Sequence, residues 1–208
     1  LGKGIVYCKD RPNFIANRIA AFGLFTAMRL MVEGDYSIEE VDRLTGGAIG
    51  RPKTATFRTA DLVGLDTVVH IATNIAEALS DDQERPAYTI PPFLLEMVKR
   101  GWLGEKAGQG FYKRIKGAGG SEILVLDYKT MEYRQQRPVA FPSLDMTQGI
   151  EESGERLRAL TSADDRAGHY VWQLLRETLL YAAHRIPEVA DDIVSVDQAM
   201  KWGFGWEI

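Results

Sequence analysis

A long apolar helix is the feature that most constrains how this chain can fold. The segment from Phe14 to Glu33 has helical character, and its apolar side chains go almost all the way round the helix axis. A helix that is apolar on most faces is buried in the middle of a bundle, and Gly34 is a suitable end for it. The apolar side chains are Phe14, Ile15, Ile19, Phe22, Leu24, Phe25, Met28, Leu30 and Met31.

Capping and turn residues predict that shorter helices make up most of the remaining chain. Ser37 and Glu40 form a capping box, in which each side chain can bond the backbone N–H of the other residue. Gly46 ends the helix that follows. Further helices are predicted at 57–63, 67–79, 92–101, 162–184 and 193–202, with Asp66 and either Ser162 or Asp164 as caps and Pro187 as a break.

The middle of the chain differs from this helical pattern. Residues 122–127 and 131–134 flank Tyr128-Lys129-Thr130, which is typical of a small β-hairpin. The glycine-rich stretch 102–112 is predicted as a loop. Pro138, Pro142 and Gly149 mark a linker before the next helix.

An internal repeat relates a segment near the start of the chain to a segment near its end. Residues 38–50 match residues 193–205 at an offset of 155 positions without a gap, and a long apolar helix precedes each copy. Shared element order favours duplication. We therefore expect the two long helices to pack about a pseudo-twofold axis. The second copy stops where the first continues, so apolar surface around Trp202, Phe204 and Trp206 should stay uncovered and promote self-association.

Charge and cysteine usage exclude some classes of partner. The net charge of −4 gives no global attraction to nucleic acid or to an anionic membrane, and no apolar run approaches the roughly 18 residues of a membrane span. The single cysteine, Cys8, fits a reducing cytosol, and its apolar neighbours predict a buried thiol. Because Leu1 starts the chain without an initiator methionine or a signal pattern, we expect a piece of a longer protein.

The sequence contains no catalytic constellation of its own. The stretch Gly108-Gln109-Gly110 lacks the last glycine of the dinucleotide fingerprint and follows a loop rather than a strand. His70, His169 and His184 lie far apart without metal-ligand spacing, and His70 is predicted to be structural. Acidic pairs at helix starts suit the helix dipole better than catalysis. We expect this chain to bind neither NAD nor a metal by itself.

Asn17 is the polar residue with the clearest functional potential. It falls in the first turns of the long apolar helix, although asparagine is a mediocre helix former. A buried amide needs hydrogen-bond partners. From physical chemistry alone, a cap or a helix–helix hydrogen bond is the favoured interpretation, and a functional amide is the alternative.

Three motifs give the chain a family resemblance. Residues 9–18 resemble the stretch that opens the C-terminal domain of 3-hydroxyacyl-CoA dehydrogenases, with Asn13 where the family usually has glycine. Residues 59–66 and 104–112 resemble two further signatures, in the family's order. Asparagine tolerates the left-handed conformation that such a glycine position uses.

Other stretches resemble the multifunctional members of that family. Residues 162–205 resemble the second copy of the domain in multifunctional β-oxidation enzymes, and residues 50–58 resemble a bacterial subgroup fused to an enoyl-CoA hydratase. The resemblance implies an all-α fold of the 6-phosphogluconate dehydrogenase C-terminal-like type, duplicated, with a small β-hairpin insert. Its parts would be a first domain (1–114), a linker with the hairpin (115–160) and a truncated second copy (161–208).

The resemblance also implies that different domains bind NAD and contact the substrate. In the family, NAD and the catalytic His–Glu pair belong to a preceding Rossmann domain, and the parent enzyme oxidises an L-3-hydroxyacyl-CoA. The family position matched by Asn17 places an amide near the reacting end of the substrate. The loop Arg51-Pro52-Lys53-Thr54 lines the acyl pocket or is a tight turn between helices, and both interpretations stand at this stage.

Two rival functions are compatible with this sequence. One is a non-catalytic helical module for interaction or dimerisation. The other is a relative that acts on a hydroxy acid without coenzyme A, such as 3-hydroxyisobutyrate, which the match at residues 59–66 disfavours.

Overall fold

The computed structural model describes residues 4–79, 85–117 and 120–207, and in these ranges the fold is mostly helical. Nine α-helices and one three-stranded antiparallel sheet are present there. The elements are α1 (Ala16–Glu33), α2 (Ile38–Thr45), α3 (Phe57–Val63), α4 (Leu65–Ala78), α5 (Pro92–Lys99), β1 (Tyr112–Gly117), β2 (Gly120–Asp127), β3 (Glu132–Gln135), α6 (Pro142–Thr147), α7 (Ser153–Thr161), α8 (Arg166–Val189) and α9 (Ile193–Phe204).

Helix α1 lies at the centre of the molecule, as its apolar faces predict. Ile19, Phe25, Met28 and Met31 are each at most 2% exposed. The helix contacts α2, α4, α8 and α9, so different elements cover different faces of it. Burial of these large side chains is the main stabilising contribution of the bundle.

Helices α1 and α8 pack against each other in antiparallel directions. The rings of Phe22 and Tyr181 stack with their centroids 4.0 Å apart. Arg29, late in α1, forms an ion pair at 2.5 Å with Glu177 of α8, whereas Arg18, early in α1, pairs with Glu188. The predicted contact between the two long helices is therefore present.

The small sheet contains the predicted hairpin and one additional strand. Strands β2 and β3 pair in antiparallel fashion through Asp127 and Glu132, on either side of the predicted turn. Strand β1, which the sequence did not predict, pairs with the other edge of β2. An ion pair of 2.6 Å between Arg134 and Glu39 joins the sheet to α2.

Several predicted helix boundaries are confirmed, and others are wrong. The capping box of Ser37 and Glu40 is present. Helix α8 is capped by Asp165, not by Ser162 or Asp164, because the Asp165 side chain accepts from the backbone N–H of Gly168.

Two further boundary predictions need correction. Pro187 lies inside α8 near its C-terminal end and does not break it. Asp66 is not the N-cap of α4; it sits within the first turn, where its side chain accepts from the Thr67 N–H at 2.9 Å and pairs with Lys106 at 2.5 Å.

The remaining differences concern the predicted linker and the thiol. Residues 142–147 and 153–161 form helices α6 and α7 where only linker was expected. Cys8 is exposed, which contradicts the predicted buried thiol. Leu1 and Ile208, which bound the predicted domains, lie outside the described residues. Among the helices that the structure describes, none is long and apolar enough to cross a membrane.

Candidate functional site

An apolar pocket of about 390 Å³ lies beside the first half of α1. Its walls come from α1, the loop 51–56, helices α3 and α4, and the segment that ends α9. Most of the lining side chains are apolar or small, as in pockets that hold organic ligands. They include Ala20, Leu24, Phe25, Ala60, Val63, Val68, Ile71 and Phe204.

This pocket brings together most of the residues that the sequence singles out. Asn17 from α1 and Arg51, Pro52 and Thr54 from the loop all line it. Lys53 is exposed and is not among the lining residues, so the loop turns its second cation to the surface. The loop is thus both a turn between elements and a wall of the pocket.

Asn17 is exposed, which contradicts the expectation of a buried amide. The buried polar residue of this turn is its neighbour Arg18, which is 0% exposed. Arg18 donates from Nε to the hydroxyl of Tyr181 at 2.8 Å and from Nη1 to Glu188 at 2.6 Å. No hydrogen bond to the Asn17 side chain occurs within the described ranges. A cap or helix–helix hydrogen bond therefore does not account for Asn17.

Arg51 is the charged residue among the described residues that line the pocket. Its guanidinium lies over the indole ring of Trp206, with the guanidinium carbon 3.9 Å from the ring centroid. Atom Nη2 is buried and has no hydrogen-bond partner in the described part of the chain. Burial lowers the pKa of Arg51 to about 10, so the group remains a cation near neutral pH.

The threonine hydroxyls around the pocket form hydrogen bonds with one another and with backbone carbonyls. Thr56 donates to the hydroxyl of Thr45 at 2.7 Å, and Thr45 donates to the Val41 carbonyl at 2.8 Å. Thr59 lies 2.6 Å from the Ala55 carbonyl and 2.9 Å from the Thr54 hydroxyl. These bonds hold the loop and α3 in place beside the pocket.

A buried carboxyl group, Asp61, joins two of the family-like motifs. It accepts from the backbone N–H groups of Phe111 and Tyr112 at 2.8 and 2.9 Å. Burial raises the pKa of Asp61 to about 6, although these two donors favour the charged form.

The glycines of the 104–112 motif make room for Asp61. A Cβ at Gly104 would lie 2.3 Å from the Asp61 carbonyl, and one at Gly110 would lie 2.1 Å from the Asp61 carboxylate. These glycines therefore serve close packing. They do not fit a dinucleotide fingerprint, which needs glycines between a strand and a helix.

A second buried carboxyl group, Asp42, holds the start of α3. It accepts from the backbone N–H of Phe57 at 2.6 Å and of Arg58 at 3.3 Å, and from the hydroxyl of Tyr112 at 2.8 Å. Burial raises the pKa of Asp42 to about 7, against the effect of these donors. Asp42 thus holds the start of α3, a helix whose residues line the pocket.

The histidines take no part in the pocket. His70 is exposed and bonds the Asn74 side chain at 3.0 Å, so it does not lie on a buried face. His169 and His184 are exposed on α8. Within the ranges that the structure describes, no group of three or more His, Cys, Asp or Glu residues could hold a metal ion.

Comparison with known proteins identifies the family of the first half of the chain. Residues 14–114 match the family described as 3-hydroxyacyl-CoA dehydrogenase, C-terminal domain. A Bacillus subtilis protein named as a probable 3-hydroxyacyl-CoA dehydrogenase is 47% identical over the whole chain, which covers 26% of that protein.

Two further relatives extend this comparison. A Deinococcus radiodurans protein with the same name is 47% identical over 56% of the chain and 33% of its own length. A Rickettsia felis protein described as a fatty acid oxidation complex trifunctional enzyme is 30% identical over 100% of the chain and 27% of its own length.

Residues 14–114 thus belong to the family of 3-hydroxyacyl-CoA dehydrogenase C-terminal domains, and the resemblance drawn from the three motifs is confirmed. The chain spans about a quarter to a third of these relatives. Trp206 is the lining residue whose contact the motifs missed. The repeat offers the signal that could have found it, because position 206 lies at the repeat offset of 155 from position 51.

Proposed function

We propose that this chain forms the substrate-side wall and the assembly part of an NAD-dependent L-3-hydroxyacyl-CoA dehydrogenase of fatty-acid β-oxidation. The family match of residues 14–114 and the relatives that align along the whole chain support this proposal. The observation that carries it is the apolar pocket with Asn17 in its wall, an amide that has no hydrogen-bond partner among the described residues. Apolar walls suit an acyl chain, and a preorganised amide suits a reacting oxygen.

Asn17 would act on the substrate as a fixed hydrogen-bond donor. Its position in the first turns of α1 is well defined, since the next residue, Arg18, is anchored to Tyr181 and Glu188. A donor held in this way can bond the oxygen at the reacting carbon without reorganising during the reaction. It can equally orient a catalytic imidazole from the preceding domain, and both roles need an exposed amide.

Pro52 and Thr54 would contact the acyl chain together with the apolar lining of α1, α3 and α4. Lys53 points to the surface and is not part of this wall. NAD would bind to the preceding Rossmann domain of the longer protein. Gly104 and Gly110 of this chain pack closely against Asp61.

We further propose that the chain holds two copies of the helical domain. Two pairs of positions 155 residues apart are in contact: Arg51 with Trp206, and Gly23 with Thr178, whose hydroxyl would lie 3.5 Å from a Cβ at Gly23. Contact between equivalent positions is what a twofold axis produces.

Backbone geometry gives independent support for the duplication. Gly50 and Gly205 are also 155 positions apart, and both have left-handed conformations, with φ 67° and ψ 30° against φ 65° and ψ 32°. Gly50 ends the short 3-10 turn 47–49 that follows α2, and Gly205 ends α9 itself.

The two copies would differ in function. Trp172 occupies the position equivalent to Asn17, so the second copy has no amide for the reacting oxygen. Leu179 and Leu180 are equivalent to Leu24 and Phe25 of the pocket, yet they are 62% and 53% exposed. The second copy would therefore serve assembly, and the first would serve the substrate.

The test is an assay of the longer protein that contains this chain, with an L-3-hydroxyacyl-CoA as substrate and NADH absorbance as readout. We expect NADH formation from the L-enantiomer, and no formation from 3-hydroxyisobutyrate. The 208-residue chain alone, titrated with NAD by calorimetry, should give no heat of binding. An inactive longer protein would favour the alternative, a non-catalytic helical module. The Rickettsia felis relative's description also motivates a test for a fused enoyl-CoA hydratase domain.

A further inference from the structure

The guanidinium of Arg51 is an unpaired charge in an apolar pocket. Its Nη2 atom is buried without a hydrogen-bond partner in the described ranges, and the Trp206 ring covers one face of the group. The backbone N–H of Arg51 donates to the Gly46 carbonyl at 3.2 Å, which fixes the start of the side chain. A buried charged donor is costly unless it is paired, so such a group in a folded protein calls for a partner.

The neighbouring polar groups do not supply that partner. The hydroxyls of Thr45 and Thr59 donate to backbone carbonyls, and the hydroxyl of Thr56 donates to that of Thr45. The buried carboxyl groups Asp42 and Asp61 already accept from backbone N–H groups elsewhere. The rest of the lining that the structure describes is apolar or small, apart from Asn17.

We propose that Arg51 is a specificity-determining residue, which binds a carboxylate at the end of an alkyl chain held in this pocket. The proposal rests on the proposed function, in which the pocket takes an acyl chain, and it adds the substrate class: acyl groups with an anionic far end. A guanidinium offers a planar fork of donors that matches a carboxylate. A site built to hydrogen-bond a ligand group rejects analogues that lack the group, because its own donor is then left unpaired.

The experiment uses the 208-residue chain and two probes of equal length, octanoate and octan-1-ol, titrated by calorimetry. We expect octanoate to bind about 10- to 100-fold more tightly, which corresponds to one charge-assisted hydrogen-bonded pair. Arg51→Met should remove this preference while octan-1-ol still binds. Arg51→Lys should restore part of it, because a cation remains.

Lys53→Met is the matched control. It removes the same charge from the same loop, but Lys53 is exposed and outside the pocket lining. The preference for octanoate should be unchanged in this variant. Thermal melting of each variant checks that Arg51→Met still folds.

The outcomes separate this proposal from the proposed function. Equal binding of both probes by the unmodified chain, or an unchanged preference in Arg51→Met, overturns the role of Arg51 and leaves the acyl pocket intact. Binding of neither probe overturns the acyl pocket itself, and with it the proposed function. A preference that Lys53→Met also removes would mean that the loop attracts anions only through its total charge, which again overturns the proposal.

Discussion

The Arg51 guanidinium and the Trp206 indole stack at 3.9 Å, although 155 positions separate them in the chain. The same offset relates the two copies of the internal repeat. The contact therefore joins two positions that the repeat offset relates, each of which directly follows a left-handed glycine. A backbone bond from the Glu207 N–H to the Gly50 carbonyl, at 2.8 Å, lies beside it. If the chain holds two copies, as proposed, the pocket and the interface between the copies meet at this contact.

Replacing Trp206 should destabilise the contact between the loop at Arg51 and the segment that follows α9. Trp206→Ala removes the cation–π contact and part of the pocket wall, and we expect the free energy of unfolding to fall by about 1–3 kcal/mol. Trp202→Ala is the matched control, since Trp202 lies on the same helix end but is 56% exposed. Urea denaturation measures both. Equal losses in the two variants would mean that the Arg51 contact contributes nothing specific.

Asn17→Ala should affect catalysis and leave the fold intact. In the proposed NAD-dependent dehydrogenase we expect kcat to fall by about 10- to 1,000-fold with a smaller change in KM, because the lost bond acts mainly in the transition state. The melting temperature of the chain should hardly change, since Asn17 is exposed. Asn74→Ala, at an exposed asparagine outside the pocket, is the control. Full activity combined with a lower melting temperature would assign Asn17 a structural role.

Arg18→Met should show the opposite behaviour. Arg18 is 0% exposed and bridges α1 to Tyr181 and Glu188 on α8. Removing one member of a buried, hydrogen-bonded ion pair costs about 3 kcal/mol or more. We expect the urea midpoint to drop strongly. Arg29→Met, at the half-exposed pair with Glu177, should cost clearly less. A small effect at Arg18 would show that α1 and α8 are held by apolar packing alone.

The sequence predicted the parts of this fold that depend on local chemistry. The helix bounds 57–63 and the capping box at Ser37 follow from side chains within one or two turns. The family signatures likewise pointed to Asn17 and to the loop at Arg51, which the pocket brings together. That duplication underlies the repeat remains a proposal.

Contacts between distant elements explain two of the failures, and position within a helix explains a third. Pro187 lacks the N–H that would bond the carbonyl four residues earlier, yet α8 continues past it only as far as Val189. Strand β1 was not predicted because it forms by pairing with the edge of β2. Asn17 was expected to be buried because its helix is, but the pocket opens on that side of α1.

The stability of the fold should depend on pH through the ionisation of Asp42. Burial raises its pKa to about 7, above the ordinary value near 4 in the unfolded chain. The folded state therefore binds the proton more tightly, and this contribution to stability is lost as pH rises from about 4 to 7. One proton gives a slope of at most about 1.4 kcal/mol per pH unit.

Two variants isolate this effect. Asp42→Asn cannot ionise, so its stability relative to the parent chain should improve as pH rises across that window. Tyr112→Phe removes the hydroxyl that donates to Asp42 at 2.8 Å, so the pKa of Asp42 should rise further and the window should extend upward. Urea midpoints at several pH values measure both. A stability difference between Asp42→Asn and the parent chain that is flat with pH would contradict the prediction.

Self-association should occur through α8 rather than through the end of α9. Phe204 and Trp206 are partly covered and line the pocket, which corrects the expectation that they are left open. Trp172, Leu179 and Leu180 instead present an apolar face, with exposed fractions of 52%, 62% and 53%. Apolar patches of this kind on a folded surface promote association.

The test compares two single substitutions by sedimentation equilibrium over a concentration series. Leu179→Lys places a charge in the α8 face and should shift the chain toward the monomer by about tenfold in dissociation constant, because a buried lysine at an interface is costly. Met146→Lys is the control, because Met146 is 74% exposed and belongs to a different helix, α6. The parent chain should associate with rising concentration, and Met146→Lys should behave like it. A parent chain that stays monomeric at every concentration would refute the association, and equal effects of the two lysines would refute its assignment to α8.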